Sequence, residues 1–267
     1  MQVHRLALGT TTGPRAGGRP ASAFLIALLI AAVALLGCDK KTTSPGDGAT
    51  WDIDAKGIPK FVNTNYIDLD AIARISRFRS AYGHDYSHDD AVETCRSMKH
   101  YFWPTGGNPG EWHSTPWVTI PIASPVRGTV AKLAPEFEGT QIWITSRDYP
   151  AFEFRIFHVG LTLALAVGDT VGEGQVLGHH GGDGTMSDIA VRVSTPNGWR
   201  LISCFDVMTD FLFQSFQTRG IASRAELIIT KEDRDADPLT GSGETFTSAG
   251  QLPNWVDRTA GEVGACV

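Results

Sequence analysis

Positive charge is scarce in this sequence. It has 23 Lys and Arg residues against 29 Asp and Glu residues, which gives a formal net charge of −6 with histidine neutral. Nucleic-acid binding calls for clustered Lys and Arg that neutralise phosphates, and a polybasic membrane patch has the same requirement. The deficit therefore argues against a nucleic-acid partner and against membrane attachment through a basic surface.

The N-terminus lacks acidic residues altogether before Asp39, whereas three arginines stand in its first 20 positions. An apolar run follows from Ala23 to Leu36. That run has the length of a signal-peptide core and is short for a membrane-spanning helix. We therefore predict that residues 1–37 are a signal peptide. Its removal takes away the three arginines, and the remaining 20 basic and 29 acidic side chains give a net charge of −9.

The apolar run ends in Leu35-Leu36-Gly37-Cys38. This string resembles a bacterial lipobox, in which the cysteine is lipidated and becomes the mature N-terminus. The alternative is a cysteine that merely follows a signal sequence. The resemblance implies a lipid at Cys38 that anchors the protein in the bacterial cell envelope, facing the periplasm or the outside.

Cysteines are few after this position: Cys95, Cys204 and Cys266. An exported location permits one disulfide and leaves one thiol over. Their spacing does not select the pair.

The rest of the chain lacks long regular patterns and is divided by glycines. Residues 38–60 are predicted to be a lipidated N-terminus and tether, 61–216 a β-domain and 217–267 a C-terminal extension. Short β-prone runs between glycines favour a mainly β fold, an antiparallel sandwich or barrel with a few short helices. Apolar spacing predicts such helices over Ile67–Phe78 and Phe205–Phe216.

Two glycine-containing strings stand out in the β-region: Ser124-Pro-Val-Arg-Gly-Thr-Val130 and the segment from Val167 to Gly178. Together they resemble the duplicated hybrid motif of LytM/lysostaphin-type zinc endopeptidases, which cut peptide cross-links in bacterial cell walls, and of biotinyl or lipoyl carrier domains. A carrier requires a lysine flanked by methionine on a hairpin between the strings. Lys132 is the one lysine there, and its place on the first strand disfavours the carrier alternative.

The peptidase resemblance extends to the positions of the metal ligands. It implies an early His-x-x-x-Asp loop, in which His84 matches the first zinc ligand and His88 stands where the Asp is expected. It implies a strand histidine at His158. It also implies a final His-x-His strand, whose two positions are occupied here by Asp188 and Ala190.

An alanine at one of these positions breaks the standard site, because catalytic zinc needs three protein ligands and an open position for water. The leading hypothesis is a non-catalytic envelope lipoprotein that binds or regulates at the cell wall, with peptidoglycan or an envelope protein as partner. The alternative is a zinc-dependent hydrolase in which His84, His88 and Asp188 hold the metal. In that alternative His158 and Asp188 are the catalytic candidates, with His158 assisting the attacking water.

Overall fold

A computed structural model describes residues 48–106, 116–182 and 184–259. The predicted signal peptide, Cys38 and Cys266 lie outside these ranges. The described residues form three α-helices and thirteen strands: α1 (Ile53–Lys56), β1 (Ile72–Ser76), β2 (His100–Pro104), β3 (Pro121–Ala123), β4 (Gly128–Pro135), β5 (Thr140–Ser146), β6 (Phe152–Leu161), β7 (Thr170–Val171), β8 (Val176–His180), β9 (Ser187–Thr195), β10 (Gly198–Ile202), α2 (Asp210–Gln217), α3 (Lys231–Ala236), β11 (Gly241–Ser242), β12 (Thr245–Phe246) and β13 (Trp255–Asp257).

Eleven of these strands form one sheet. Its main path runs β13-β1-β2-β9-β6-β5-β4-β7, with β10 paired to β9, and β8 paired to both β3 and β6. Every pair of these strands is antiparallel. The predicted mainly β fold is confirmed.

The main sheet has an apolar face and a polar face. The difference is clearest in its central strands, which are β4, β5, β6, β9 and β2. Side chains alternate between faces along a strand, so Phe154 and Ile156 of β6 enter the main core while Arg155 points the other way. Burying such an apolar side chain contributes roughly 1.5–3 kcal/mol each. The core side therefore holds the sheet together, and the opposite side is left for polar and aromatic groups.

Gly178, the last residue of the second motif string, is required by close strand packing. A Cβ at this position would lie 2.1 Å from the carbonyl oxygen of Gly160 on β6, and a backbone oxygen cannot move aside independently. We expect Gly178→Ala to lower the free energy of unfolding by about 1–3 kcal/mol through overpacking. Chemical denaturation measures this loss. Gly172→Ala is the matched control, since its Cβ would meet only Gln175 at 3.8 Å; equal losses in both variants would contradict the steric explanation.

The helix predicted over Ile67–Phe78 is wrong. A 3₁₀ turn at Leu69–Ala71 leads instead into strand β1. Tertiary pairing overrides the helical spacing, because β1 is held between β2 and β13 in the sheet. The helix predicted over Phe205–Phe216 is found in its C-terminal half as α2, which begins after the Thr209 side chain caps the amide of Leu212.

The segment after residue 216 is built into the same sheet. Strand β13 pairs with β1, and the Arg234 side chain of α3 is fully buried and donates to the carbonyl of Arg79. No helix in the described part of the chain has the length and apolar character to cross a membrane. Cys95 and Cys204 are both free thiols, so they do not form a disulfide with each other.

Candidate functional site

A cleft of about 430 Å³ opens on the polar side of the sheet. Residues from the loop before β2, from β5 and β6, and from the β4–β5 hairpin surround it. Those used below include His84, His88, Lys99, Glu136, Trp143 and Arg155.

Lys99 is the central residue of this site. His100 lies opposite Ile189 in the antiparallel β2–β9 register, and one residue earlier that register places Lys99 opposite Ala190. Because alanine fills little space there, the lysine side chain can cross the sheet surface. The side chain of Lys99 is 2% exposed, and its ammonium forms an ion pair with the fully buried carboxylate of Asp188. It also lies 4.1 Å from the ring centre of Phe157.

The charge of Lys99 is stabilised despite its burial. Burial alone would lower the pKa of Lys99, but the Asp188 carboxylate outweighs this and raises the pKa above its ordinary value. The rings of Tyr101 and Tyr86, at 4.8 and 5.0 Å, present further negative π faces to the ammonium. Burial raises the pKa of Tyr101 to about 12, although the charge of Lys99 acts in the opposite direction. The lysine is therefore a permanent cation at neutral pH.

His84, the first predicted zinc ligand, accepts a hydrogen bond from the Lys99 ammonium through its Nε2 lone pair. The Lys99 ammonium lies 3.2 Å from His84 Nε2 and donates to it, while Nδ1–H donates to the carbonyl of Asp85 at 3.2 Å. Burial and the charge of Lys99 both lower the pKa of His84, which keeps the ring neutral and Nε2 an acceptor. Glu244, from the turn between β11 and β12, approaches Nδ1 at 3.6 Å.

A bulge in β6 brings His158 to the cleft side. By alternation with Phe154 and Ile156, this residue would face the core. The β5–β6 register shifts at this point and His158 adopts a φ of 57°, so its ring turns instead towards Asp188. His158 Nε2 lies 3.6 Å from Asp188 Oδ1.

Glu136 secures this strained position. The backbone N–H of His158 donates to Glu136 Oε2 at 2.9 Å, and His158 Nδ1 lies 3.4 Å from the same oxygen. Burial raises the pKa of Glu136 even though the N–H and ring of His158 favour its ionised form. A continuous row of contacts therefore crosses the site, from the Glu136 carboxylate to the His158 imidazole, then to the Asp188 carboxylate and the Lys99 ammonium.

His88 lies at the rim of the cleft, apart from these contacts. Its side chain is 57% exposed, and Nε2 lies 3.7 Å from Asp89 rather than beside His84 or Asp188. Asp89 is in turn paired with the buried guanidinium of Arg155.

These residues do not fit a catalytic zinc ion. His84 Nε2 and Asp188 Oδ2 meet on the Lys99 ammonium, so a cation of the protein already uses two of the donor atoms that a metal would need. Within residues 48–106, 116–182 and 184–259, no three His, Cys, Asp or Glu side chains are grouped so that they could hold a metal. The structure therefore brings together three of the four predicted metal-binding and catalytic residues: His84 and Asp188 contact the Lys99 ammonium, and His158 lies beside Asp188.

Sequence reasoning missed Lys99, Glu136, Trp143 and Arg155. For Lys99 a signal existed, since Lys99, Tyr101 and Trp103 alternate in the string Met-Lys-His-Tyr-Phe-Trp and share one face of a strand. His100, on the other face, is fully buried and forms a hydrogen bond with Ser203 Oγ at 2.8 Å. No comparable pattern marked Glu136, which stands in a turn.

No protein-family model matches the chain, and no curated protein does. Similar solved structures include Csd3 from Helicobacter pylori, at 16% identity and a TM-score of 0.39 over 57% of this chain. They also include the catalytic domain of the prophage-encoded EnpA from Enterococcus faecalis, at 17% identity and a TM-score of 0.32 over 55% of this chain and 93% of that one. Lysostaphin matches at 16% identity and a TM-score of 0.28 over 47% of this chain and 48% of its own.

The match with Csd3 spans 35% of the Csd3 chain. At these identities the likeness concerns the fold alone.

Proposed function

We propose that this protein is a peptidase-like binding domain of the bacterial cell envelope that has exchanged a metal centre for an internal lysine. The observation that carries the proposal is the ion pair of Lys99 with Asp188, with His84 Nε2 accepting from the same ammonium. Two of the donor atoms that would hold zinc, His84 Nε2 and Asp188 Oδ2, are engaged by this lysine, which supports a cleft that keeps its shape without a metal. Its activity is then recognition rather than hydrolysis.

The bound partner is peptidoglycan or an envelope protein. Two features support this choice. The first is the sequence resemblance to enzymes that act on cell-wall peptides, and the second is the lipobox-like string at Cys38, which implies an exported, anchored protein. A cleft with aromatic walls and paired charges is suited to a peptide, because it offers both apolar contact and hydrogen-bonding groups.

Metal analysis of the mature protein, purified without a histidine tag, tests the catalytic half of the proposal. We expect far less than one equivalent of zinc per chain and no release of soluble fragments from isolated cell-wall sacculi. Sedimentation with sacculi tests the binding half, and we expect the protein in the pellet. Stoichiometric zinc that is lost in His84→Ala and Asp188→Ala would overturn the proposal in favour of a metal-dependent hydrolase. Absence from the pellet would remove peptidoglycan as the partner.

A further inference from the structure

The wall of the cleft formed by β4, β5 and β6 carries a row of nitrogen donors. Lys132, Trp143 and Arg155 are cross-strand neighbours in the antiparallel registers. The Lys132 ammonium lies 4.2 Å from the ring centre of Trp143, and the Arg155 guanidinium lies 3.7 Å from that ring. All three line the cleft. A third cation, the Arg192 guanidinium, lies 5.4 Å from the same ring centre, so three cations surround one indole.

Arg155 has more donors than partners. Its side chain is 1% exposed; Nε donates to Glu153 at 3.0 Å, and Nη1 donates to Tyr86 Oη at 2.8 Å and to Asp89. Among the described residues, Nη2 has no hydrogen-bond partner although it is buried. A buried guanidinium donor without an acceptor costs about 1–3 kcal/mol, so such a group calls for an explanation.

Trp143, on the neighbouring strand, also has a buried donor that lacks an acceptor in the ranges that the structure describes. Its indole Nε1–H is buried and, within the described part of the chain, has no acceptor. An indole nitrogen and a guanidinium can only donate. Lys132 has no ion pair among the described residues, and its recorded contact is the indole face. Two adjacent buried donors therefore lack an acceptor among the described residues, and an exposed ammonium without an ion pair lies beside them.

We infer that Lys132, Trp143 and Arg155 form a carboxylate subsite at this end of the cleft. The inference rests on the proposed binding function and specifies its ligand: a peptide with a free carboxylate, either at its C-terminus or on a side chain. Two oxygens of one carboxylate can accept from Nη2 and Nε1 together, while Lys132 supplies charge from the open side. Glu136 and Glu244 line the cleft as well, and their charge disfavours a second carboxylate near them.

NMR titration of the mature protein with three small probes tests the subsite. They are N-acetyl-dialanine, with a C-terminal carboxylate; its C-terminal amide; and N-acetyl-alanyl-glutamate α-amide, whose one carboxylate is on the side chain. We expect at least one acid to bind roughly tenfold or more tightly than the amide, the size of effect for charge-assisted hydrogen bonds. Whichever acid binds more tightly identifies the source of the carboxylate.

Lys132→Gln and Trp143→Phe are the informative variants, because Lys132 is exposed and phenylalanine keeps an aromatic ring while it removes the N–H donor together with part of the indole. Each should lower the acid-to-amide affinity ratio several-fold. Lys56→Gln is the matched control, since Lys56 lies 5.0 Å from the ring centre of Trp51 and outside the cleft lining.

Three results would overturn the subsite: equal binding of acids and amide, an unchanged ratio in both cleft variants, or no shift with any probe. None of them bears on zinc content or on sedimentation with sacculi. The failure of the subsite is therefore distinguishable from the failure of the proposed function.

Discussion

Replacement of Lys99 by methionine lowers the free energy of unfolding by about 3–5 kcal/mol, the usual cost of removing one partner of a buried ion pair. Methionine fills much of the same volume, so the loss is electrostatic. The fully buried carboxylate of Asp188 would remain without its countercharge, with the His158 ring at 3.6 Å as its nearest recorded partner. Urea denaturation at pH 7 with circular dichroism measures the change.

The second half of this experiment separates the ion pair from simple packing. In the double variant Lys99→Met with Asp188→Asn, no buried charge is left unpaired, and we expect it to be more stable than Lys99→Met alone by about 1–3 kcal/mol. Lys56→Met removes an exposed lysine that also faces an aromatic ring and serves as the control. A loss below about 1 kcal/mol in Lys99→Met would show that Lys99 does not hold the centre together, since surface changes stay within about 0.5 kcal/mol.

The fold class could be predicted from local sequence patterns. Glycines between short β-prone runs predict a mainly β domain, and the close contact at Gly178 shows why such a motif constrains the backbone: only a residue without Cβ fits against Gly160. Local pattern was insufficient for β1, because the same residues offer an amphipathic helical spacing. The pairing with β2 and β13 decides the outcome, and that pairing joins residues far apart in the chain.

The sequence predicted only part of the candidate site. The sequence motif selects His84, His158 and Asp188, and the structure brings all three to one place. The sequence motif does not reveal that Ala190 leaves room for Lys99. This lysine comes from the segment that leads into β2, the neighbour of β9, and β2 precedes β9 by more than 80 positions in the chain. The orientation of His158 was equally hidden, since it depends on a bulge that a strand pattern does not encode.

A second large effect is expected at Glu93, which secures the loop that carries His84 and Lys99. The carboxylate is fully buried; it accepts from Arg79 Nε at 2.6 Å and Nη2 at 2.7 Å, and from Arg96 Nη1 at 2.8 Å. Arg96 also binds Asp235 of α3, which connects the loop to the C-terminal segment. Glu93→Gln keeps the shape but leaves two arginines facing an uncharged amide. We expect a loss of about 3 kcal/mol in the free energy of unfolding at pH 7.

The stability lost in Glu93→Gln should also depend on pH. Burial would raise the pKa of Glu93, but the hydrogen bonds and charges of Arg79 and Arg96 prevail and lower it below its ordinary value of 4.5. A lowered folded-state pKa adds stability that is fully present above the unfolded pKa and is lost as the pH falls through the folded one. The stability difference between wild type and Glu93→Gln should therefore be full at pH 7 and shrink as the pH falls below about 4.5.

Urea denaturation at a series of pH values between 7 and 3 measures this difference. Burial would raise the pKa of Asp89 too, but the charge and hydrogen bond of Arg155, with the charges of His88 and Arg192, together lower it, so both proteins should keep some acid sensitivity. Glu232→Gln, an exposed carboxylate on α3, is the control and should follow the wild type throughout. A stability difference that stays constant from pH 7 to pH 3 would mean that the loss in Glu93→Gln comes from packing, and that the ionised Glu93 does not hold the loop.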